Sequence, residues 1–153
     1  MKTQKIGILA TKGTLNSELF HKNLEKYQDI QIIEQIGYNL VERIENGFID
    51  DDEMFKLLQM YVQPMIQKNI DYLVLGCTHY PYLIPQLQKI VPAQIKIIDS
   101  GEAVAKQTLH VLEQQNLLKR NQTAPTLQFI TNGNPTIISN ILQNQYTVTF
   151  KDF

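Results

Sequence analysis

Cys77, Thr78 and His79 bring a thiol, a hydroxyl and an imidazole together in three consecutive residues, directly after an apolar segment. The apolar run 72–75 predicts a buried strand. Pro81 is typical of a first helical turn, so a strand-to-helix turn is expected here, where α/β folds bind ligands. The helix N-terminus would favour the thiolate of Cys77, and His79 could assist proton transfer. The alternative is an inert, buried cysteine, the commoner state of a lone cysteine.

The composition indicates a globular chain without a charged partner surface. Of 153 residues, 43% are hydrophobic and 19% are charged, which suits one domain with its own core. The net charge of -1 gives no electrostatic reason to bind nucleic acid or an anionic membrane. The single cysteine allows neither an internal disulfide nor a cysteine-rich metal site, and it fits a reducing compartment. With neither a signal-peptide pattern nor a membrane-spanning stretch, a cytoplasmic protein is expected.

The hydrophobic pattern alternates between strands and helices along the chain. The predicted strands are residues 5–10, 30–36, 70–75 and 95–98. The predicted helices run from Asn16 or Ser17 to about Tyr27, from the acidic run 50–53 through Pro64, from about Pro81, and from Ser100 to about Leu118. The segment 40–44 is ambiguous between helix and strand.

Strands separated by helices predict βαβ units, and therefore a parallel, flavodoxin-like sheet flanked by helices. The carboxyl ends of its strands would bring together the turns 11–14, 37–40, 76–79 and 99–101, where a ligand should bind. The polar segment from Asn121 to Pro125 predicts a boundary between a lobe of residues 1–120 and an extension of residues 121–153. The extension has the pattern of a strand, a helix and a second strand.

The turns resemble those of the glutamate racemases, within the aspartate/glutamate racemase superfamily, over the second lobe of such a two-lobed enzyme. The segment 73–83, with its Cys-Thr-His-Tyr-Pro run, is close to the family's second catalytic-cysteine signature and is specific. Weaker matches follow the same order as in the family: residues 6–11 with Gly13, Thr14 and Ser17, then Leu40, Val41 and Glu45, and then residues 98–101 with Ala105.

Two departures from the family pattern accompany these matches. The sequence contains neither the Asp-Ser-Gly-x-Gly-Gly loop nor the Cys-Asn-Thr-Ala turn of the family's first lobe, and Glu42 stands where proline is usual. The resemblance implies that residues 121–153 would pack on a first lobe. We therefore expect the extension to contact another chain or a second copy, or to be poorly ordered. A fragment of a longer enzyme, a split subunit and a remnant kept for binding all fit this pattern.

The resemblance implies interconversion of L- and D-glutamate without a cofactor or metal, which supplies D-glutamate for peptidoglycan. In the family, two cysteines face the α-carbon from opposite sides. Cys77 would be one of these acid/base residues, and His79 would be its polarising partner. Thr78 would contact the substrate carboxylate or ammonium group. Because one cysteine on one lobe cannot transfer protons at both faces, this chain alone is expected to be inactive as a racemase.

Further residues are weaker candidates for the site. The resemblance makes Glu45 a candidate for tuning it, and Thr11 and Thr14 candidates for substrate contact, although a capping role is at least as plausible for the two threonines. Asp99 would either touch a ligand or cap the following helix. The two remaining histidines, at positions 21 and 110, fall within helices and are expected to have no function.

Two other functions stay open at this point. One is a one-cysteine decarboxylase or isomerase of the same superfamily, which would also need a first lobe. The other is a non-catalytic, flavodoxin-like module for assembly or for binding a small anion. In that module the amides of the turn 11–14 would hold the anion, although the turn lacks the glycine spacing of the nucleotide-binding motifs.

Overall fold

A computed structural model of the chain describes residues 2–119 and 124–153. The chain divides into two compact units, Met1–Glu102 and Ala103–Phe153. The domain boundary predicted from Asn121 begins outside the described residues. Among the described residues, no helix is both long and apolar enough to cross a membrane.

The first unit contains a four-stranded sheet in which all neighbouring strands are parallel. Its strands are β1 (Lys5–Ala10), β2 (Gln31–Ile36), β3 (Tyr72–Gly76) and β4 (Lys96–Ile98). Their order across the sheet is β2-β1-β3-β4, which is the flavodoxin-like order. The predicted parallel α/β sheet is therefore confirmed.

Helices connect these strands, and several differ from the sequence-based expectation. They are α1 (Lys12–Leu15), α2 (Glu18–Leu24), α3 (Leu40–Glu45), α4 (Asp52–Gln67), a 3₁₀ turn (Tyr80–Leu83), α5 (Ile84–Ile90) and α6 (Gly101–Gln114). The expected turn at 11–14 is a single helical turn, and the ambiguous segment 40–44 is helical. α2 and α6 end earlier than predicted, because Tyr27 and Leu118 lie beyond the last helical hydrogen bonds. α4 continues through Pro64 to Gln67.

Apolar side chains pack on both faces of this sheet. In β1, Leu9 points to one face and its neighbours Ile8 and Ala10 point to the other, as the twofold period of a strand requires. Buried residues of α3, α4 and α5 cover the Leu9 face, while Leu15 of α1 and Phe20 of α2 cover the opposite face. Helices on both faces explain why β1 is apolar along most of its length.

The second unit contains the predicted β-α-β pattern. Its elements after α6 are β5 (Phe129–Thr131), α7 (Pro135–Ile141) and β6 (Val148–Phe150), and β5 pairs with β6 in parallel. Asn134 caps α7 by accepting a hydrogen bond from the Thr136 backbone N–H at 3.0 Å, and Pro135 takes the first turn. A two-stranded sheet buries little apolar surface by itself. The expectation that this unit packs on a further lobe stays a prediction.

Candidate active site

The carboxyl ends of β1, β3 and β4 surround an open cleft of about 550 Å³. Parallel strands end at the same edge of a sheet, so the turns that follow them meet there. The residues that line this cleft are Ile8, Thr11, Thr14, Phe20, Val74, Leu75, Gly76, Cys77, Thr78, Asp99 and Ser100. The cleft therefore contains five residues singled out from the sequence, namely both threonines after β1, the Cys-Thr pair after β3 and Asp99 after β4.

Cys77 stands at the end of β3 because the backbone there lies very close to β1. Gly76 pairs with Ala10 across the two strands, and a Cβ at Gly76 would lie 2.7 Å from the Cβ of Ala10. Only glycine fits this approach without displacing a strand. The thiol that follows is free and half-buried, packing against the core on one side and lining the cleft on the other.

The imidazole of His79 connects the thiol to a carboxylate. Its Nδ1 lies 3.9 Å from the Sγ of Cys77, and its Nε2 lies 3.1 Å from Oε1 of Glu45. When Nε2 carries the proton and donates a hydrogen bond to Glu45, Nδ1 is left as an acceptor that faces the thiol. His79 is not among the residues that line the cleft, although its imidazole contacts the Cys77 sulfur.

The helix expected after Cys77 begins as a 3₁₀ turn, Tyr80–Leu83, and only then becomes α-helical. Pro81 occupies the first turn, as predicted. Because the 3₁₀ turn runs directly into α5, the effect of this helix N-terminus on the thiol stays a prediction. His79, whose Nδ1 lies 3.9 Å from the sulfur, is a second group placed to favour the thiolate.

The threonines after β1 have two roles in the fold. The Oγ1 of Thr11 caps α1 by accepting the Thr14 backbone N–H at 3.3 Å, and the two hydroxyl oxygens lie 2.9 Å apart. Both residues also line the cleft, so capping and cleft lining coexist. Thr78 is exposed at the cleft.

Asp99 supports the start of α6, since its Oδ1 accepts the backbone N–H of Gly101, the first residue of that helix, at 2.7 Å, and the residue also lines the cleft. The sequence reasoning missed Phe20 as a cleft residue. Ser17 could have indicated this position, because its hydroxyl caps α2 by accepting the Phe20 backbone N–H at 3.2 Å. The cap places Phe20 in the first turn of the helix, next to the turn after β1. His21 and His110 are exposed on α2 and α6.

In residues 2–119 and 124–153, no group of three or more His, Cys, Asp or Glu side chains is placed to hold a metal ion. A parallel sheet with a thiol and hydroxyls at its strand ends, and an imidazole behind the thiol, defines an α/β protein with a small-ligand cleft. The chain belongs to the Asp/Glu/Hydantoin racemase family, whose model matches residues 1–108.

Relatives and solved structures agree with this membership. A glutamate racemase of Pseudomonas entomophila is 41% identical over 138 residues, which are 90% of this chain and 52% of the relative. A glutamate racemase isoform of Bacillus anthracis superposes with a TM-score of 0.81 at 26% identity, over 99% of this chain and 58% of that one. A Francisella tularensis glutamate racemase in complex with D-glutamate superposes with a TM-score of 0.79 at 25% identity, over 97% of this chain and 57% of that one. The chain thus spans about half the length of the curated relatives it matches.

Proposed function

We propose that this chain supplies one half of a cofactor-independent glutamate racemase site, in which Cys77 is one of two acid/base residues. The observation that carries the proposal is the contact between a cleft-lining thiol and an imidazole. Cys77 lines the cleft with Thr11, Thr14 and Thr78, and Nδ1 of His79 lies 3.9 Å from its sulfur. Hydroxyl donors beside a proton-transfer group suit a small substrate that carries a carboxylate.

Proton transfer at this cleft would proceed on one face of the α-carbon. The thiolate of Cys77 takes the α-proton and becomes a thiol, while the bond electrons remain on the substrate as a carbanion. Hydrogen bonds from threonine hydroxyls to the α-carboxylate would stabilise that negative charge. His79, which contacts Glu45 and is partly exposed, accepts the thiol proton between turnovers and releases a proton to solvent, which restores the thiolate and the neutral imidazole.

Inversion requires a second proton donor on the opposite face of the same carbon. The 153-residue sequence has one cysteine, and the thiol reaches the cleft from one side. We therefore assign the second acid/base residue to a further lobe, supplied by another part of a longer protein, by another chain or by a second copy. In that assembly the product would be D-glutamate for peptidoglycan, and this chain alone would not racemise glutamate.

No observation favours the other functions considered above. The proposed anion-binding turn is a single helical turn in which the Thr14 amide already donates to Thr11. That amide is therefore not available to a phosphate. A one-cysteine decarboxylase or isomerase would use the same cleft and would also need a facing lobe, so it differs from the proposal in its substrate and, for a decarboxylase, in the bond that breaks.

The test is deuterium entry at the α-carbon of L- and D-glutamate in D₂O, followed by NMR and chiral chromatography. The chain would be assayed alone and with the half of the Pseudomonas entomophila enzyme that it does not match. We expect no racemisation by the chain alone and exchange in the mixture. Cys77→Ser should lower the exchange about 10²-fold to 10⁴-fold, as loss of a general acid/base does.

A matched pair of histidine variants completes the design. His79→Gln should slow the exchange, whereas His110→Gln, on the exposed surface of α6, should not. Racemisation by the chain alone at an ordinary enzymatic rate would contradict the half-site. Exchange that survives Cys77→Ser would contradict the role of the thiol.

A further inference from the structure

Two tyrosine hydroxyls donate hydrogen bonds to consecutive carbonyl groups in the turn between β2 and α3. The hydroxyl of Tyr80 lies 3.0 Å from the carbonyl oxygen of Gly37, and that of Tyr61 lies 3.2 Å from the carbonyl oxygen of Tyr38. The donors come from two separate elements, the 3₁₀ turn and α4. Hydrogen bonds to two adjacent carbonyls define the position of the turn.

The turn has little support within its own segment. Asn39, which precedes α3, has a φ of 63° and makes no side-chain capping hydrogen bond. A Cβ at Gly37 would lie 2.5 Å from the Tyr80 hydroxyl oxygen, so the glycine is needed for the tyrosine to approach. The start of α3 therefore depends on tertiary contacts, and Tyr80 is one of them.

The same short segment also contacts the other end of α3. Tyr80 directly follows His79, and Nε2 of His79 meets Glu45 at the last residue of the helix. A six-residue helix is about 9 Å long, so fewer than two helical turns separate Gly37 and Asn39 from Glu45. A shift at its first turn would therefore move the Glu45 carboxylate relative to the imidazole.

We propose that Tyr80 is a positioning residue that holds α3, through Gly37, so that Glu45 can orient His79 toward Cys77. This inference rests on the proposed function of the three residues. The side chain of Tyr80 is fully buried. Burial raises the pKa of Tyr80 above its usual value, so its hydroxyl stays protonated and remains a donor throughout the physiological pH range.

A purely structural role for this tyrosine predicts a different pattern of effects. A buried hydroxyl that merely satisfies a carbonyl would change stability when removed, without acting through the carboxylate. Tyr80 also donates its backbone N–H to the carbonyl of Cys77 at 3.2 Å, so a direct effect on the thiol is a second alternative. A double-mutant cycle separates both alternatives from the proposal.

The experiment measures the alkylation rate of Cys77 by iodoacetamide at pH 7 in the full chain, whose only thiol is Cys77. The variants are Tyr80→Phe, Glu45→Gln and the double variant, with Tyr82→Phe as the exposed control on the same 3₁₀ turn. We expect each single variant to slow alkylation about twofold to fivefold. The double variant should be no slower than Glu45→Gln alone.

The outcomes separate this inference from the proposed function. The inference about Tyr80 alone would be overturned if the slowing of alkylation in the double variant equalled the product of the slowing in the two single variants. It would also be overturned if Tyr80→Phe left the alkylation rate unchanged while His79→Gln lowered it. An unchanged rate in both His79→Gln and Glu45→Gln would overturn the proposed relay, and the inference with it.

A reciprocal measurement covers the case in which Tyr80→Phe does not fold. Coupling between the two contacts requires that Glu45→Gln speed exchange of the Tyr80 hydroxyl proton with solvent, measured by NMR. Glu42→Gln, an exposed neighbour on the same helix, should leave that exchange unchanged. Equal exchange in the parent chain and in Glu45→Gln would overturn the inference.

Discussion

Nε2 of His79 lies 3.1 Å from Oε1 of Glu45, which joins the turn after β3 to the end of α3. The imidazole is one-third exposed, at 34%, and the carboxylate is more open, at 62%. Solvent weakens a pair this exposed, so its contribution to stability is small. Its effect is instead directional, because a carboxylate at Nε2 favours the tautomer that presents Nδ1 as an acceptor to Cys77.

Glu45→Gln should therefore change the reactivity of the thiol more than the stability of the chain. The amide keeps the size of the side chain and removes the charge that favours the accepting tautomer. We expect alkylation of Cys77 to slow about twofold to fivefold, the range of an exposed ion pair. Rates measured with iodoacetamide check this, with Glu42→Gln as the matched control. Equal rates in both variants would show that the carboxylate does not act on the thiol.

Local sequence patterns predicted the elements that position the cleft. β1 and β3 follow from apolar runs, and the turn at Cys77 follows from the end of such a run next to Pro81. Thr11 and Thr14 were placed near the thiol by topology alone, because parallel strands end at one edge. These inferences succeeded because each depends on a local period and on a general rule of sheet topology.

The contacts behind the thiol could not be predicted from the sequence in this way. α3 has six residues, too few for the spacing of its apolar residues to distinguish a helix from a strand. Glu45 was therefore a candidate only through the resemblance to the racemases. The bond from Tyr80 to Gly37 joins residues 43 apart and depends on how the 3₁₀ turn packs. Such contacts come from tertiary packing, for which local propensity carries no signal.

Gly76→Ala should destabilise the first unit, because the new methyl group would lie 2.7 Å from the Cβ of Ala10. Overpacking of this kind costs about 1–3 kcal/mol. Urea unfolding followed by circular dichroism measures the change. Gly13→Ala is the matched control: a Cβ there has no atom within 4 Å, and alanine in α1 should stabilise by about 0.5–1 kcal/mol. An unchanged midpoint in Gly76→Ala would contradict the close approach of β1 and β3.

Asp51 should contribute to stability above pH 4 and lose that contribution in acid. The Met54 backbone N–H and then the Arg43 guanidinium, which contact Oδ1 at 2.8 and 2.7 Å, lower the pKa of Asp51 below its ordinary value of 3.8. A lowered pKa means that the unfolded chain binds the proton first as the pH falls. The contribution of Asp51 to stability is therefore complete above pH 3.8, and it is lost as the pH falls through the lower pKa that Asp51 has in the folded chain.

Asp51→Asn isolates the charge, because asparagine is also a good N-cap. We expect the variant to be less stable than the parent chain at pH 7 and the difference to shrink toward pH 3. Urea midpoints across that range measure it, and Asp52→Asn, in the first turn of α4, is the control. A difference independent of pH would show that the charge of Asp51 has no effect.

Thr14→Val and Thr11→Val should separate the capping role of these residues from their role in the cleft. Thr14→Val removes a hydroxyl from the cleft and its hydrogen bond with the Thr11 hydroxyl, but keeps the backbone N–H that Thr11 caps, so it should cost no more than about 1 kcal/mol. Thr11→Val removes the cap as well as that hydrogen bond and should cost about 1 kcal/mol more. A hydrogen bond to a charged carboxylate contributes about 1.5–3 kcal/mol, so deuterium entry into glutamate in the complemented assay should fall at least about tenfold in both variants. Thr11→Ser, which keeps the hydroxyl, should retain both stability and exchange. Undiminished exchange in Thr14→Val would exclude its hydroxyl as a substrate contact, because the substitution preserves the shape of the cleft and removes only the donor.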